Sequence, residues 1–143
     1  MSRRGITLLE LLVALVVLGI LAAIAVPAYQ RHVRRVHRTE AMTTLLELLA
    51  AQERFHLRHG VYSSDPAAPP PEGLGIGAHS QGGRYSITVA LSGDGQSFIA
   101  SATPTREGGQ AADAECLAFS VDQRGRRAVS GSAGVAACWR HGS

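Results

Sequence analysis

The chain has 143 residues and a formal net charge of +3; 45% of it is hydrophobic and only 5% aromatic. That length holds one ordinary domain and not two, and the shortage of aromatic residues leaves any globular part a small core. All 14 basic residues are arginine, and the charge falls to +1 (+3 less two) once Arg3 and Arg4 leave with a leader, a balance that makes no general case for nucleic-acid binding.

Met1-Ser-Arg-Arg-Gly5 is short, polar and basic, and Ile6 to Tyr29 then reads ITLLELLVALVVLGILAAIAVPAY with Glu10 as its only charge. The 19 uncharged residues from Leu11 to Tyr29 approach the roughly 20 that carry a helix across the hydrocarbon of a membrane. A soluble core helix is rarely apolar on every face for so long. A secretory signal peptide is one alternative, with Ala22-Ala23-Ile24-Ala25 as its small-residue cut site. The length of the stretch and the presence of Glu10 argue against it, because a carboxylate inside hydrocarbon is costly and marks function. Thr7-Leu8-Leu9-Glu10 also fits a capping box, and an acid in the first turn complements the helix dipole. A capping carboxylate can still meet a cation from a neighbour. Charge does not set the topology: Arg31, Arg34, Arg35 and Arg38 crowd the far end, and counting charges alone favours the orientation opposite to that of Arg3 and Arg4.

From Gln30 to His59, Val33, Val36, Leu45, Leu48, Leu49, Gln52 and Phe55 recur at helical steps. Gly60 is a helix stop, so one helix is predicted from Thr7 to His59. Pro27, with Gly19 eight residues earlier, predicts a kink near Ala23 to Pro27; the alternative is that the membrane helix ends there. Arg31 to Arg38 either face lipid headgroups or form a solvated face. Val61 to Gly83 holds Pro66, Pro69, Pro70 and Pro71 and reads as a long irregular connection. Strands are predicted at Arg84 to Leu91, Gln96 to Thr103 and Cys116 to Asp122, with a weak fourth near Arg127 to Ser130. A meander packed on one helix is an α+β arrangement.

Cys116 and Cys138 have 21 residues between them, which fits no common zinc spacing. In an oxidising compartment they read as one disulfide worth about 3 kcal/mol, and in a reducing one as two unrelated thiols. His32, His37, His56, His59, His79 and His141 are scattered. His56 and His59 are spaced for a metal pair, although at a helix C-terminus such residues complement the dipole. The sequence offers no nucleophilic triad and no phosphate loop, so neither an enzyme nor a cofactor or metal is expected.

Arg4-Gly5 followed by Ile6-Thr7-Leu8-Leu9-Glu10-Leu11-Leu12 resembles the processing site of type IV pilins. The resemblance implies cleavage after Gly5 by a prepilin peptidase/methyltransferase, methylation of the new Ile6 amine, and an assembly role for Glu10 as the fifth mature residue. Ile6 departs from the usual Phe. Pairing Glu10 of one subunit with the Ile6 amine of another would offset two costly burials. Pro27 and Gly19 fit a helix that bends in this region. Glu47 stands where many pilins have a second proline, predicting a straighter second half.

The region bounded by Cys116 and Cys138, its Cys138-Trp139 ending and the overall length look like PilE-like minor pilins. The implied organisation is a leader at 1–5, a transmembrane and filament-core helix at 6–29, and an extracytoplasmic globular domain at 30–143. That domain comprises the helix to 59, a connection over 60–83 and a sheet over 84–143. The implied function is a structural, minor subunit of a type IV pilus, single-pass in the inner membrane before assembly and on the cell surface after it. Its partners are other pilins, the peptidase and the pilus assembly machinery. Two other readings stand beside it: a type II secretion pseudopilin, which shares the N-terminal device, and a membrane-anchored extracytoplasmic enzyme or binding protein, whose helix is a plain anchor. Some minor pilins bind DNA during uptake, and Arg124, Arg126 and Arg127 form a basic turn. Without an aromatic platform nearby, that turn reads as a solvated hairpin.

Overall fold

A computed structural model describes residues 7–140 of the chain, which falls into two units, residues 1–33 and 34–143. Helix α1 spans Leu8–His59. At its start the Glu10 amide donates to Thr7 Oγ1 at 3.2 Å, satisfying one of the amides that a helix N-terminus leaves free. In the first unit every residue from Thr7 to His32 is exposed. The helix is long and apolar enough there to cross a membrane. Pro27 lies inside α1 and does not end it.

In the second unit the helix buries one stripe: Arg38, Ala41, Met42, Leu45, Leu48, Ala51 and Gln52, at three- and four-residue spacing. The stripe differs from the predicted one at its start. Val36 is 56% exposed, and Arg38 takes the inward position instead. Gln52 can be buried because its amide group pairs with one backbone unit: Nε2 donates to Ser63 O at 2.7 Å and the Ser63 amide donates to Oε1 at 2.9 Å. Gly60 ends the helix with φ 73°, its amide donating to His56 O at 2.8 Å; this left-handed position costs glycine least.

Four strands follow as an antiparallel meander: β1 Tyr85–Leu91, β2 Phe98–Pro104, β3 Phe119–Asp122 and β4 Arg127–Val129. Their register aligns Ile87, Ala102 and Phe119 in one row and Val89, Ala100 and Val121 in the next. Each row sets alanine between two larger residues. That leaves a trough along β2, where Ala100 and Ala102 are fully buried in the same core as Met42, Leu45 and Leu48. Alternation of this kind is what a half-buried sheet requires. The result is an α+β fold: a long N-terminal helix and a four-stranded antiparallel sheet.

Two strand starts differ from expectation. β2 begins at Phe98 because Gln96 belongs to the turn: its amide donates to Asp94 Oδ1 at 3.1 Å and its side chain to Gly60 O at 2.8 Å. β3 begins at Phe119 and not at Cys116, because Leu117 has φ 52°. A side-chain-bearing residue there breaks the extended run and leaves Leu117 pointing outward. A short 3-10 turn, Gln110–Ala112, precedes it, and a second helix, α2 (Val135–Cys138), follows the sheet.

Candidate functional site

In the first unit the candidate device is the helix start. Gly5 and Ile6 lie outside the described residues. Glu10 is exposed in the first turn of α1, with no other acid or base between it and Arg31. Gly19 has open space around it. A carboxylate on an apolar helix exposed on every face is an unsatisfied charge wherever that helix is taken out of water.

The second unit carries a different feature, a pinned C-terminal region. Cys116 and Cys138 are joined by a disulfide with their Cα atoms 5.6 Å apart. The bridge ties the segment before β3 to the end of α2, rather than tying β3 itself. Trp139, next to it, is only 6% exposed. Its Nε1 donates to Ala128 O at 3.2 Å, its ring meets Phe119 edge-on at 5.7 Å, and Arg127 lies over it at 4.9 Å. The indole therefore supports the short outer strand β4 from beneath and holds one arginine in place.

Arg124, Arg126 and Arg127 are exposed on the β3–β4 turn. Asp122 organises it. Its Oδ1 accepts from the Arg124 and Arg126 amides, each at 2.9 Å, and its Oδ2 from Arg126 Nε at 2.6 Å. Partial burial pushes the Asp122 carboxyl up, but the Arg126 amide and guanidinium and the Arg124 amide together hold it below the usual aspartate range. Arg126 is thus neutralised in part, and Arg124 and Arg127 form no ion pair among the described residues.

A buried ion pair that the linear sequence did not reveal anchors this region to α1. Arg38 Nε and Nη2 donate to Asp113 Oδ2 and Oδ1, both at 2.7 Å, and Nη2 also donates to Glu115 Oε2 at 2.8 Å. Gln110 completes the cluster, its Nε2 donating to Asp113 Oδ2 at 3.0 Å and to Arg34 O at 3.1 Å. The Asp113 carboxylate raises the guanidinium above its ordinary range, against the opposing cost of burial. Arg38 is therefore neither a headgroup contact nor part of a solvated face. The available signal was its place at the head of the buried stripe, three residues before Ala41. A second long-range pair joins Glu40 to Arg84 at 2.8 Å and to the Gly82 amide at 2.6 Å.

The histidines of α1 do not converge. His56 stacks on Tyr62 at 4.4 Å and His59 on Phe55 at 4.2 Å, and no group of three or more metal-binding side chains occurs among the described residues.

Comparison with known proteins bears on both units. Residues 1–26 match the prokaryotic N-terminal methylation motif. Residues 27–120, more than half of the chain, match the family described as type IV minor pilin ComP, DNA uptake sequence receptor. No curated protein matches. Among solved structures, a type IV pilin from Shewanella oneidensis is similar, with 25% identity and a TM-score of 0.52 over 76% of this chain and 99% of that one. An apolar N-terminal helix with a single acid, a small meander sheet and these matches converge: the chain belongs to the ComP family of type IV minor pilins.

Proposed function

We propose that this minor pilus subunit, anchored in the inner membrane before assembly, is cut after Gly5, methylated on the Ile6 amine, and drawn into the filament by Glu10. The observation that carries the reading is the isolation of Glu10. It is the only charged residue between Ile6 and Gln30, on a helix exposed on every face. Cutting after Gly5 frees an ammonium at Ile6 four residues from that carboxylate. In a bundle of such helices the acid of one subunit can meet the amine of another, and each charge offsets the cost of burying its partner. Gly19 and Pro27 supply a place for the helix to bend as it packs.

The test is intact mass spectrometry of the chain recovered from sheared surface filaments, together with Glu10→Gln. Processing predicts a chain that starts at methylated Ile6, and assembly predicts that the Gln variant is processed yet missing from filaments. A chain that retains Met1, or a Gln variant incorporated normally, would overturn the reading.

A second reading is favoured by the family description and by the exposed arginines on the pinned turn. Here the β3–β4 hairpin contacts the phosphates of DNA, with Arg124 and Arg127 as the cations not engaged by Asp122. The hairpin lies beyond the family match, which ends at residue 120, so the assignment of these residues rests on their geometry. Full-length protein in detergent, titrated with duplex DNA, gives the test. If Arg124→Ala with Arg127→Ala leaves the salt dependence of binding unchanged, the hairpin is not the contact, because each lost phosphate contact should flatten the slope by about 0.9.

A further inference from the structure

Near the end of α1, the exposed Arg54 and Arg58 flank a small cleft. Phe55, Pro70, Pro71 and Leu74 form its apolar walls. One turn apart on the helix, the two guanidiniums are neighbours on one face, and neither makes an ion pair among the described residues. Arg58, His56 and His59 already occupy the last turn and complement the helix dipole there. Arg54 sits a turn earlier, beyond the reach of that effect.

We propose that this cleft is a docking site for a carboxylate side chain of a neighbouring pilin subunit. The inference rests on the chain's membership of the filament, which brings the globular parts of other subunits against it. The cleft is small, about 30 Å³, which is room for the two oxygens of a carboxylate. The apolar walls remove water from one side of the site. A planar carboxylate between two guanidinium forks is the ligand that best answers such a site. A nucleic-acid backbone, by contrast, is held by a tract of cations, and here there are two.

The chain has no lysine, which gives a selective test. Arg54→Lys and Arg58→Lys, made singly in the full-length chain, each introduce one side-chain amine at the cleft, with Arg106→Lys on an exposed loop as the control. Filaments carrying each variant are treated with a carbodiimide, which joins an amine to a carboxylate in contact with it, and the adducts are mapped by mass spectrometry. The expected result is an adduct from position 54 or 58 to an acidic residue of another subunit. Its yield should exceed the control by up to about fivefold, the upper end of what an exposed ion pair supplies. Equal yields at the cleft and the control overturn the proposal, as does coupling confined to the same chain. Filaments that lack even the unsubstituted chain overturn filament membership itself. A third variant, Arg54→Glu with Arg58→Glu, separates the ligand classes: if it weakens binding to duplex DNA while the amine variants give no intersubunit adduct, the ligand is nucleic acid and not a carboxylate.

Discussion

Arg38 and Asp113 are 75 residues apart in the chain and meet through two parallel hydrogen bonds of 2.7 Å, one from Nε and one from Nη2. Side-chain exposure is 10% for the arginine and 2% for the aspartate. The two-pronged geometry holds the segment leading into Cys116 against the second-unit part of α1. It also makes the pair asymmetric: removing Arg38 leaves Asp113 buried with no cation, whereas removing Asp113 leaves Arg38 the more exposed Glu115 at 2.8 Å. Arg38→Ala should therefore lower stability by about 3–5 kcal/mol and Asp113→Ala by less, while Arg38→Met combined with Asp113→Leu should recover most of the loss. Urea unfolding of the full-length chain in detergent measures both. The fluorescence of Trp139, the sole tryptophan, reports from the same region.

The disulfide closes a loop with a sequence separation of 22. Replacing both cysteines by serine should cost about 3 kcal/mol, mainly by releasing the unfolded chain. Because β4 is only three residues long, the loss should appear first as local opening of the hairpin. Amide exchange in Arg127–Val129 would then accelerate well before exchange in β1 and β2 does. Uniform acceleration throughout the sheet would contradict this order.

Trp139 combines three contacts that can be separated by substitution. Trp139→Phe keeps an aromatic ring but loses the bond to Ala128 O, and should cost about 1 kcal/mol. Trp139→Ala also empties the space against Phe119 and should cost about 3–5 kcal/mol. Thermal unfolding followed by far-ultraviolet circular dichroism suits both variants, since the fluorescent probe is gone.

Acid should begin to destabilise the second unit in part through Glu40. Partial burial raises the Glu40 carboxyl, but the Ser80 hydroxyl, the Arg84 guanidinium and the Gly82 amide together bring it below its ordinary value of 4.5. A group depressed in the folded state contributes stability above its unfolded value and loses it as the pH falls through the folded one. Stability should thus be level above about pH 5 and fall below about pH 4.5. Asp65, Asp94 and Asp122, all held below 3.8, add to the decline at still lower pH. Glu40→Gln should cost about 1 kcal/mol at neutral pH and make the first part of the acid limb shallower. A limb unchanged by Glu40→Gln would remove Glu40 from this account.

The sequence alone determined whatever depends on neighbours within a turn or a strand. Nineteen uncharged residues after Glu10 are apolar on every face in any helical arrangement, so the exposed N-terminal helix was legible without a fold. Alternation marked β1, and Gly60 marked the end of α1. Alternation alone places Leu117 and Gln96 in strands, because it carries no information about φ or about a turn's side-chain bonds. Only the tertiary structure decided which cations are spent. Arg38 is paired with Asp113 and Arg84 with Glu40, while Arg54, Arg58, Arg124 and Arg127 form no ion pair among the described residues. A run of arginines reads alike in sequence whether each faces solvent or a carboxylate 75 residues away, since the fold alone sets the distance on which a Coulomb interaction depends.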